Sequence, residues 1–197
     1  MTRPDAKDAE ARPNARPCAR FALLDLWRGG VGFCIEEQME GCHRLLRPLP
    51  RGEGLPPYRK GEELPFRFVA RWGHLRLSSF LNPISNDYLD AALHGEVDVG
   101  GICARAPMDG NLSFAYLSRQ SISYCFDFDA GGRRLRFRGD KRHIRPWNLP
   151  WSHTTCYGEL SELASGEPIS TVLLRFPPST LMPFLSSFRL IRRAQGD

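Results

Sequence analysis

The chain has 197 residues, and its 27 lysine and arginine residues against 22 aspartates and glutamates give a formal net charge of +5. Its apolar fraction of 42% and charged fraction of 25% are ordinary for a globular protein, and they exclude a wholly disordered or a fibrous chain. The sequence also lacks the ~18 consecutive apolar residues of a membrane-spanning helix. A chain of this length can bury a hydrophobic core without metal ions or disulfides.

Residues 1–20 are predicted to form a flexible tail, followed by a single domain over residues 21–197. The tail is rich in proline, alanine and charged residues, which offer too little apolar surface for a packed core. It contains no apolar run typical of a signal peptide, and its acidic residues argue against a transit peptide. We therefore expect a cytoplasmic protein whose six cysteines are free thiols. No two cysteines form a C-x-x-C pair, so a zinc ribbon is not predicted.

Apolar residues that alternate with polar ones predict β-strands along most of the domain. In chain order, the residues that share an apolar face are Val31, Phe33, Ile35 and Met39; Leu64, Phe66, Phe68, Ala70 and Trp72; Val97, Val99 and Cys103; Leu112, Phe114 and Tyr116; Ile122, Tyr124, Phe126 and Phe128; and Leu135, Phe137 and Gly139. Gly131-Gly132 predicts a hairpin turn between the last two runs, because glycine reaches positive φ without steric cost. A second hairpin is predicted for residues 153–161 and 167–176, joined through Ser165-Gly166.

About eight short strands predict an all-β fold, an antiparallel barrel-like domain of the lipocalin or calycin kind. Two helices accompany it. Ser85 or Asn86 is predicted to cap a short helix with apolar residues at positions 88, 89, 92 and 93. Ser179 is predicted to cap a C-terminal helix with apolar residues at positions 181, 184, 185 and 188. Residues 46–63 contain four prolines and are interpreted as a loop that could act as a flap.

Two charged residues fall on apolar strand faces. Glu37 has the parity of Phe33 and Met39, and Lys141 has the parity of Phe137. A lone buried charge is very costly, so the two side chains need each other or another polar partner. One interpretation is a polar anchor for a ligand inside an apolar cavity. The other is a structural ion pair, or strand ends that fray and let both side chains reach water.

The segment 141–155 concentrates tryptophan, histidine and proline. Trp147, Trp151 and His153 are candidate ligand-binding residues, because aromatic rings with a polar edge often line ligand mouths. The alternative is that the tryptophans plug one end of a barrel. The sequence shows no histidine spacing typical of a metal site, no nucleophile elbow and no nucleotide-binding glycine motif, so no cofactor is predicted.

A stripe of basic residues follows the Gly131-Gly132 turn. Arg134, Arg136, Arg138 and Arg142 have the outward parity of their strand. They could face acidic lipid head groups or a nucleic-acid backbone, although no RNP-type aromatic motif accompanies them, so nucleic acid is the weaker case. The alternative is the ordinary solvated face of a strand.

Several short motifs resemble an accessory domain attached to bacterial cholesterol oxidases of the glucose–methanol–choline type. They include Ile35-x-Glu37-x-Met39-x-Gly41, Gly139-x-Lys141 and Trp151-x-His153-Thr154-Thr155. The resemblance runs from about residue 31 to 190. It implies a sterol- or lipid-linked context and draws attention to Glu37, Lys141, Thr154 and Thr155. The oxidase and its FAD-binding parts are missing, so neither carries over, and His153 stands where the pattern has aspartate.

The expected function is non-enzymatic binding of a hydrophobic molecule such as a sterol or a fatty acyl chain. Glu37 and Lys141 would orient its polar end, and Trp147 and Trp151 would shape the mouth. One alternative is a small barrel enzyme that acts on a lipid-like substrate, with Glu37 or His153 as general acid or base. Another is a filled barrel that serves as a protein–protein regulatory module, since capacity depends on strand number and shear.

Overall fold

The computed structural model describes residues 30–46, 62–115, 120–142, 144 and 154–192. Within these ranges nine antiparallel strands form one sheet in the order β2-β3-β4-β5-β6-β7-β8-β1-β9, and β1 also pairs with β2. This second pairing closes eight strands into a barrel, so the predicted all-β antiparallel barrel is confirmed. The elements are β1 (Val31–Leu45), β2 (Glu63–His74), α1 (Leu77–Phe80), β3 (Asp90–Val99), β4 (Cys103–Ala115), β5 (Ser121–Ala130), β6 (Arg133–Lys141), β7 (Thr155–Glu162), β8 (Pro168–Arg175), α2 (Leu181–Ser187) and β9 (Arg189–Arg192).

The barrel interior is built from the alternating apolar residues of the strands. Phe66 and Phe68 of β2, Phe126 of β5 and Phe137 of β6 are all 1% exposed or less. Their rings contact one another, with centroids 4.8 Å apart for Phe126 and Phe137 and 5.4 Å apart for Phe66 and Phe137. Offset and tilted aromatic pairs of this kind stabilise a core beyond the area they bury. This aromatic group fills the middle of the barrel.

Glycines at positive φ make the predicted hairpins. Gly131 and Gly132 have φ of +56° and +75° between β5 and β6, and Gly166 has φ of +71° between β7 and β8. Two consecutive residues at positive φ form the type I′ turn whose twist matches that of the flanking strands. Both hairpins are therefore confirmed.

The short helix lies elsewhere than the sequence indicates. Residues 88, 89, 92 and 93 do not form a helix; β3 begins at Asp90, and the helix is α1 (Leu77–Phe80). Ala91 and Leu93 are buried with Ala92 exposed between them, which is the period of a strand. The helical spacing of the apolar residues was thus a coincidence that pairing with β2 and β4 overrides. Cys103 also begins a new strand, β4, rather than continuing β3.

The C-terminal helix is confirmed, and a ninth strand that was not predicted follows it. A 3-10 turn, Pro178–Thr180, leads into α2, so Ser179 lies within this turn and makes no side-chain cap. Pro183 lies in the first turn of α2, where its missing N–H removes no helical hydrogen bond. The predicted tail (residues 1–20) and nearly all of the 46–63 loop lie outside the described residues.

The wall of the barrel is interrupted beside β1. On the same side of β1, β8 pairs with residues 40–45 and β9 pairs with residues 31–34. Among the described residues, no strand faces residues 35–39 there, and α2 lies over this stretch instead. The Ser187 hydroxyl oxygen accepts a hydrogen bond from the Glu36 N–H at 2.8 Å, as a strand carbonyl would.

The end of the barrel that carries α1 is called the mouth. Phe80 of α1 packs against Phe33 and Phe114, with ring centroids 5.0 and 5.9 Å apart. In the part of the chain described here, no helix has the length and apolar character needed to cross a membrane.

Candidate functional site

Glu37 and Lys141 meet inside the mouth half of the barrel. The Lys141 ammonium donates a hydrogen bond to Glu37 Oε1 at 2.6 Å, and both side chains are 5% exposed. Strand alternation brings them there: Glu37 shares its face with the buried Phe33 and Met39, and Lys141 is the last residue of β6. The structure contains a buried ion pair, so fraying of the strand ends into water is wrong, and the role of the pair as an anchor for a ligand stays a prediction.

Two further side chains complete this group. The Tyr124 hydroxyl lies 3.0 and 2.9 Å from the two Glu37 oxygens, and the Trp72 indole N–H donates to Glu37 Oε2 at 3.2 Å. We call Glu37, Lys141, Tyr124 and Trp72 the polar cluster. A carboxylate offers about four lone-pair positions, and the three donors of the cluster take up three of them. Both oxygens of Glu37 are therefore hydrogen-bonded by the barrel itself.

Neighbouring residues fix the position of Lys141. Its ammonium lies 5.1 Å from the centroid of the Tyr124 ring, within range of a cation–π interaction. Tyr124 on β5 is paired with Gly139 on β6. Because Gly139 has no side chain, the aromatic residues of the core have room beside it. A Cβ on Gly139 would lie 2.6 Å from the Phe137 ring and 2.7 Å from Cys156 Sγ.

Cys156 lies close to the polar cluster but is not a nucleophile. It is fully buried, and burial raises the pKa of its thiol to about 12, while the Lys141 charge lowers it only in part. Thiolate is the reactive form of cysteine, so at neutral pH this residue behaves as a small apolar side chain. The five described cysteines are free thiols.

A cleft of about 560 Å³ opens at the mouth next to the polar cluster. Its apolar lining includes Phe33, Trp72 and Ile191, and its rim includes His74 and Arg76. Trp72 belongs to both features, because its ring lines the cleft while its N–H reaches Glu37. Trp72 therefore connects the cleft to the buried charges, and neither Glu37 nor Lys141 lines the cleft itself.

Of the other predicted site residues, the structure describes only Thr154 and Thr155. Trp147, Trp151 and His153 lie outside the described residues. The Thr154 carbonyl accepts a hydrogen bond from the Phe176 N–H at 2.7 Å. Thr155 begins β7 and alternates with the buried Cys156, so its side chain faces away from the barrel interior.

Tyr124 and Trp72 are site residues that the sequence analysis treated only as core. Both share a strand face with the buried aromatic residues, and both carry a polar atom at the end of a large apolar ring. Such a group, when buried, requires a hydrogen-bond partner. Their inward parity together with that of Glu37 was the signal that could have identified them.

The arginine stripe lies on the outer face of β6 and is partly neutralised. Arg136 forms two hydrogen bonds to Asp127, at 2.6 and 2.8 Å, and these hold the pKa of the Asp127 carboxyl below its usual value. Arg142 pairs with Asp140 at 3.3 Å. Arg134 and Arg138 are exposed. Binding of acidic lipid by Arg134, Arg136, Arg138 and Arg142 stays a prediction.

A separate buried histidine lies towards the opposite end of β1. His43 is 1% exposed, and its Nε2 lies 2.9 Å from the Gly100 carbonyl oxygen. Burial lowers the pKa of His43, since the charged imidazolium is poorly solvated there. Over the described ranges, no three histidine, cysteine, aspartate or glutamate residues are grouped as metal ligands.

Comparisons with family models, curated proteins and solved structures find no match to this chain. The resemblance to the accessory domain of cholesterol oxidases therefore stays a prediction.

Proposed function

We propose that this barrel binds a small, mainly apolar molecule at its mouth, with the molecule's polar end directed at the polar cluster. The observation that carries the proposal is a cleft of ligand size whose wall includes Trp72, the residue that also donates a hydrogen bond to the buried Glu37–Lys141 pair. Clefts of roughly 300–1,000 Å³ with apolar walls and a few convergent polar groups are typical small-molecule sites.

Stability alone is a poor reason for this ion pair. Desolvating two charges costs several kcal/mol per ion, and well-packed apolar residues of similar volume often serve as well or better. The surrounding interior is otherwise apolar and aromatic, so an apolar replacement would suit it. Charged groups retained in such a place are candidates for a functional role.

The packing of the interior supports a ligand site at the mouth rather than in the centre. The middle of the barrel is occupied by four phenylalanine rings that contact one another in tilted or edge-on pairs: Phe66, Phe68, Phe126 and Phe137. The cleft, in contrast, lies outside this aromatic group and is bounded by Phe33 and Trp72. We therefore assign the body of the ligand to the cleft.

The charges of the cluster favour a neutral polar end. Glu37 and Lys141 carry opposite charges, so the pair is neutral as a unit. A ligand carboxylate would add an uncompensated charge, whereas a hydroxyl or carbonyl oxygen can accept a hydrogen bond from an ammonium that has three N–H donors. This chemistry favours a sterol-like alcohol or ketone over a fatty acid.

The enzyme alternative is less well supported by the geometry. A general base must reach a proton of the substrate, but Glu37 does not line the cleft, and Tyr124, Trp72 and Lys141 already donate to three of its about four lone-pair positions. His153, the other candidate for this role, lies outside the described residues.

The first experiment is native mass spectrometry of the purified protein, followed by organic extraction of any bound molecule. Binding of a fluorescent sterol with a free hydroxyl and of a fluorescent long-chain fatty acid is then compared. We expect the sterol to bind more tightly. Equal binding, or a preference for the fatty acid, would contradict the neutral-end argument.

Two variants test the place of binding. Ala92→Trp fills the cleft from an exposed position that lines it, and Ala104→Trp is its matched control on the exposed face of β4. We expect only Ala92→Trp to abolish binding. Trp72→Phe keeps an aromatic wall but removes the N–H on Glu37, and it should weaken binding roughly tenfold. If all three variants bind like the wild type, the ligand site is not this cleft. If the wild type itself binds neither probe and carries no bound molecule, a filled regulatory barrel becomes the better hypothesis.

A further inference from the structure

α2 and the residue that follows it expose a group of large apolar side chains. Leu181 is 48% exposed, Met182 71%, Leu185 57% and Phe188 48%. Protein surfaces usually carry such residues singly, and a contiguous group marks an interaction site. We call these four residues the α2 face. Met182 and Leu185 are more than half exposed, and Leu181 and Phe188 are about half exposed.

The charges on the segment that carries the α2 face are all of one sign, and the carboxylate of Glu36, the β1 residue bonded to Ser187, is paired with Arg71. From residue 168 to residue 192 the chain contains Arg175, Arg189 and Arg192 and no acidic residue, and α2 itself is uncharged. An apolar element flanked by arginines matches the interface of an anionic membrane, where apolar side chains enter the acyl boundary and cations contact the head groups.

The hydroxyl groups of this segment favour lipid over a protein partner. Thr180 donates to the Pro177 carbonyl at 2.7 Å, Ser186 to the Pro183 carbonyl at 3.0 Å and Ser187 to the Phe184 carbonyl at 2.7 Å. These side chains are thus turned back on their own backbone. Protein–protein interfaces carry about one hydrogen bond per 100–200 Å², and this face offers few groups to form them.

The position of the α2 face connects it to the mouth. Phe188 stacks on Phe33 with ring centroids 6.3 Å apart, and Phe33 also lines the cleft. On the other side of Phe33, the residues on either side of α1 include the exposed Leu75 and Ile84, at 68% and 92%. Asp87, which follows them in the chain, lies 3.8 Å from His74. Two apolar segments therefore flank the mouth.

We propose that the α2 face docks onto an anionic lipid surface, with Arg189 and Arg192 above the head groups. This docking requires no ligand in the cleft, so it stands or falls separately from the binding function proposed above.

The test is co-sedimentation of the full chain with vesicles of phosphatidylcholine containing about 30% phosphatidylserine, a composition that gives a negative surface potential. We expect the wild type to partition onto these vesicles. A variant with both Met182→Glu and Leu185→Glu should lose at least about tenfold in partition coefficient, because it replaces apolar insertion by repelled carboxylates. Arg192→Gln should lose about fivefold on these vesicles and nothing on pure phosphatidylcholine.

Two matched controls separate this surface from others. Tyr157→Glu changes an apolar residue that is 56% exposed on β7, and Arg138→Gln removes an exposed cation of the arginine stripe. Neither should alter vesicle binding. Circular dichroism and thermal melting establish that each variant is folded.

Three results would overturn the proposal. The first is a wild type that does not sediment with the vesicles, and the second is vesicle binding that Arg138→Gln weakens as much as Arg192→Gln does. The third is a dimer in light scattering that the Met182→Glu, Leu185→Glu variant converts to a monomer, since the α2 face would then be an interface between two copies.

Discussion

Replacing Lys141 by methionine removes the buried ammonium and leaves the Glu37 carboxylate without its charged partner. Both side chains are 5% exposed and their atoms are 2.6 Å apart, so solvent cannot take over the lost interaction. Breaking such a pair costs about 3–5 kcal/mol. Tyr124 and Trp72 still donate to the carboxylate, so we expect the lower end, a loss of about 3 kcal/mol in the free energy of unfolding.

Urea denaturation followed by far-UV circular dichroism measures this loss. With a slope of about 2 kcal/mol per molar urea, the midpoint should fall by about 1.5 M. The control is the double variant Glu37→Gln, Lys141→Met, in which a neutral amide oxygen still accepts from Tyr124 and Trp72. We expect it to recover to within about 1 kcal/mol of the wild type, because no unpaired charge stays buried. A single Lys141→Met variant with an unchanged midpoint would refute the burial of this ion pair.

The remaining predictions concern other parts of the barrel. Burial lowers the pKa of His43, so the unfolded chain takes up a proton at His43 before the folded chain does, and the free energy of unfolding should decline as the pH falls below about 6.5. The control is His43→Gln, which keeps an N–H for the Gly100 carbonyl. If the urea midpoints of this variant fall as steeply with pH, groups other than His43 cause the decline. Cys156, whose thiol pKa burial raises to about 12, should react with a thiol reagent only after unfolding, and labelling of the native protein at this residue in peptide mass mapping would be inconsistent with its burial. Gly158→Ala should destabilise the barrel by about 1–3 kcal/mol in thermal melts, because the new Cβ would lie 2.5 Å from the Phe137 ring; an unchanged melting temperature would mean that this ring has room to shift.

The barrel was predictable because its strands alternate with little interruption. β5 and β6 are the clearest case: buried residues occupy every second position, and Gly131-Gly132 fixes the turn. The parity argument therefore placed Glu37 and Lys141 on the interior face before any pairing was known. The parity of a strand residue predicts whether its side chain faces the interior or the solvent. Which interior side chains touch depends on how the strands pair around the closed barrel, and this pairing brings Lys141 to Glu37.

The errors arise where local pattern and long-range pairing disagree. Apolar spacing at residues 88–93 fits a helix, but β2 and β4 lie on either side of this segment and hold it as β3. β9 is four residues long and is recognisable only from its pairing with Val31–Cys34, 155 or more residues away in the chain. Such a short strand has no independent periodicity from which it could be predicted.

The sequence after β8 explains the interruption of the wall beside β1. After β8 the chain continues as Phe176-Pro177-Pro178, and proline has no N–H to donate to a neighbouring strand. The chain therefore leaves the sheet at Arg175 and returns as β9 only after α2, so that, in the part of the chain that the structure describes, no strand pairs with residues 35–39 of β1 on that side. Glu37 is the inward-facing charge at the centre of this stretch. Because of these two prolines, α2 lies outside the wall next to residues 35–39, and Glu37 of the polar cluster points inward from the same stretch. This shared position is the reason that we propose both ligand binding and lipid docking for the mouth half of the barrel.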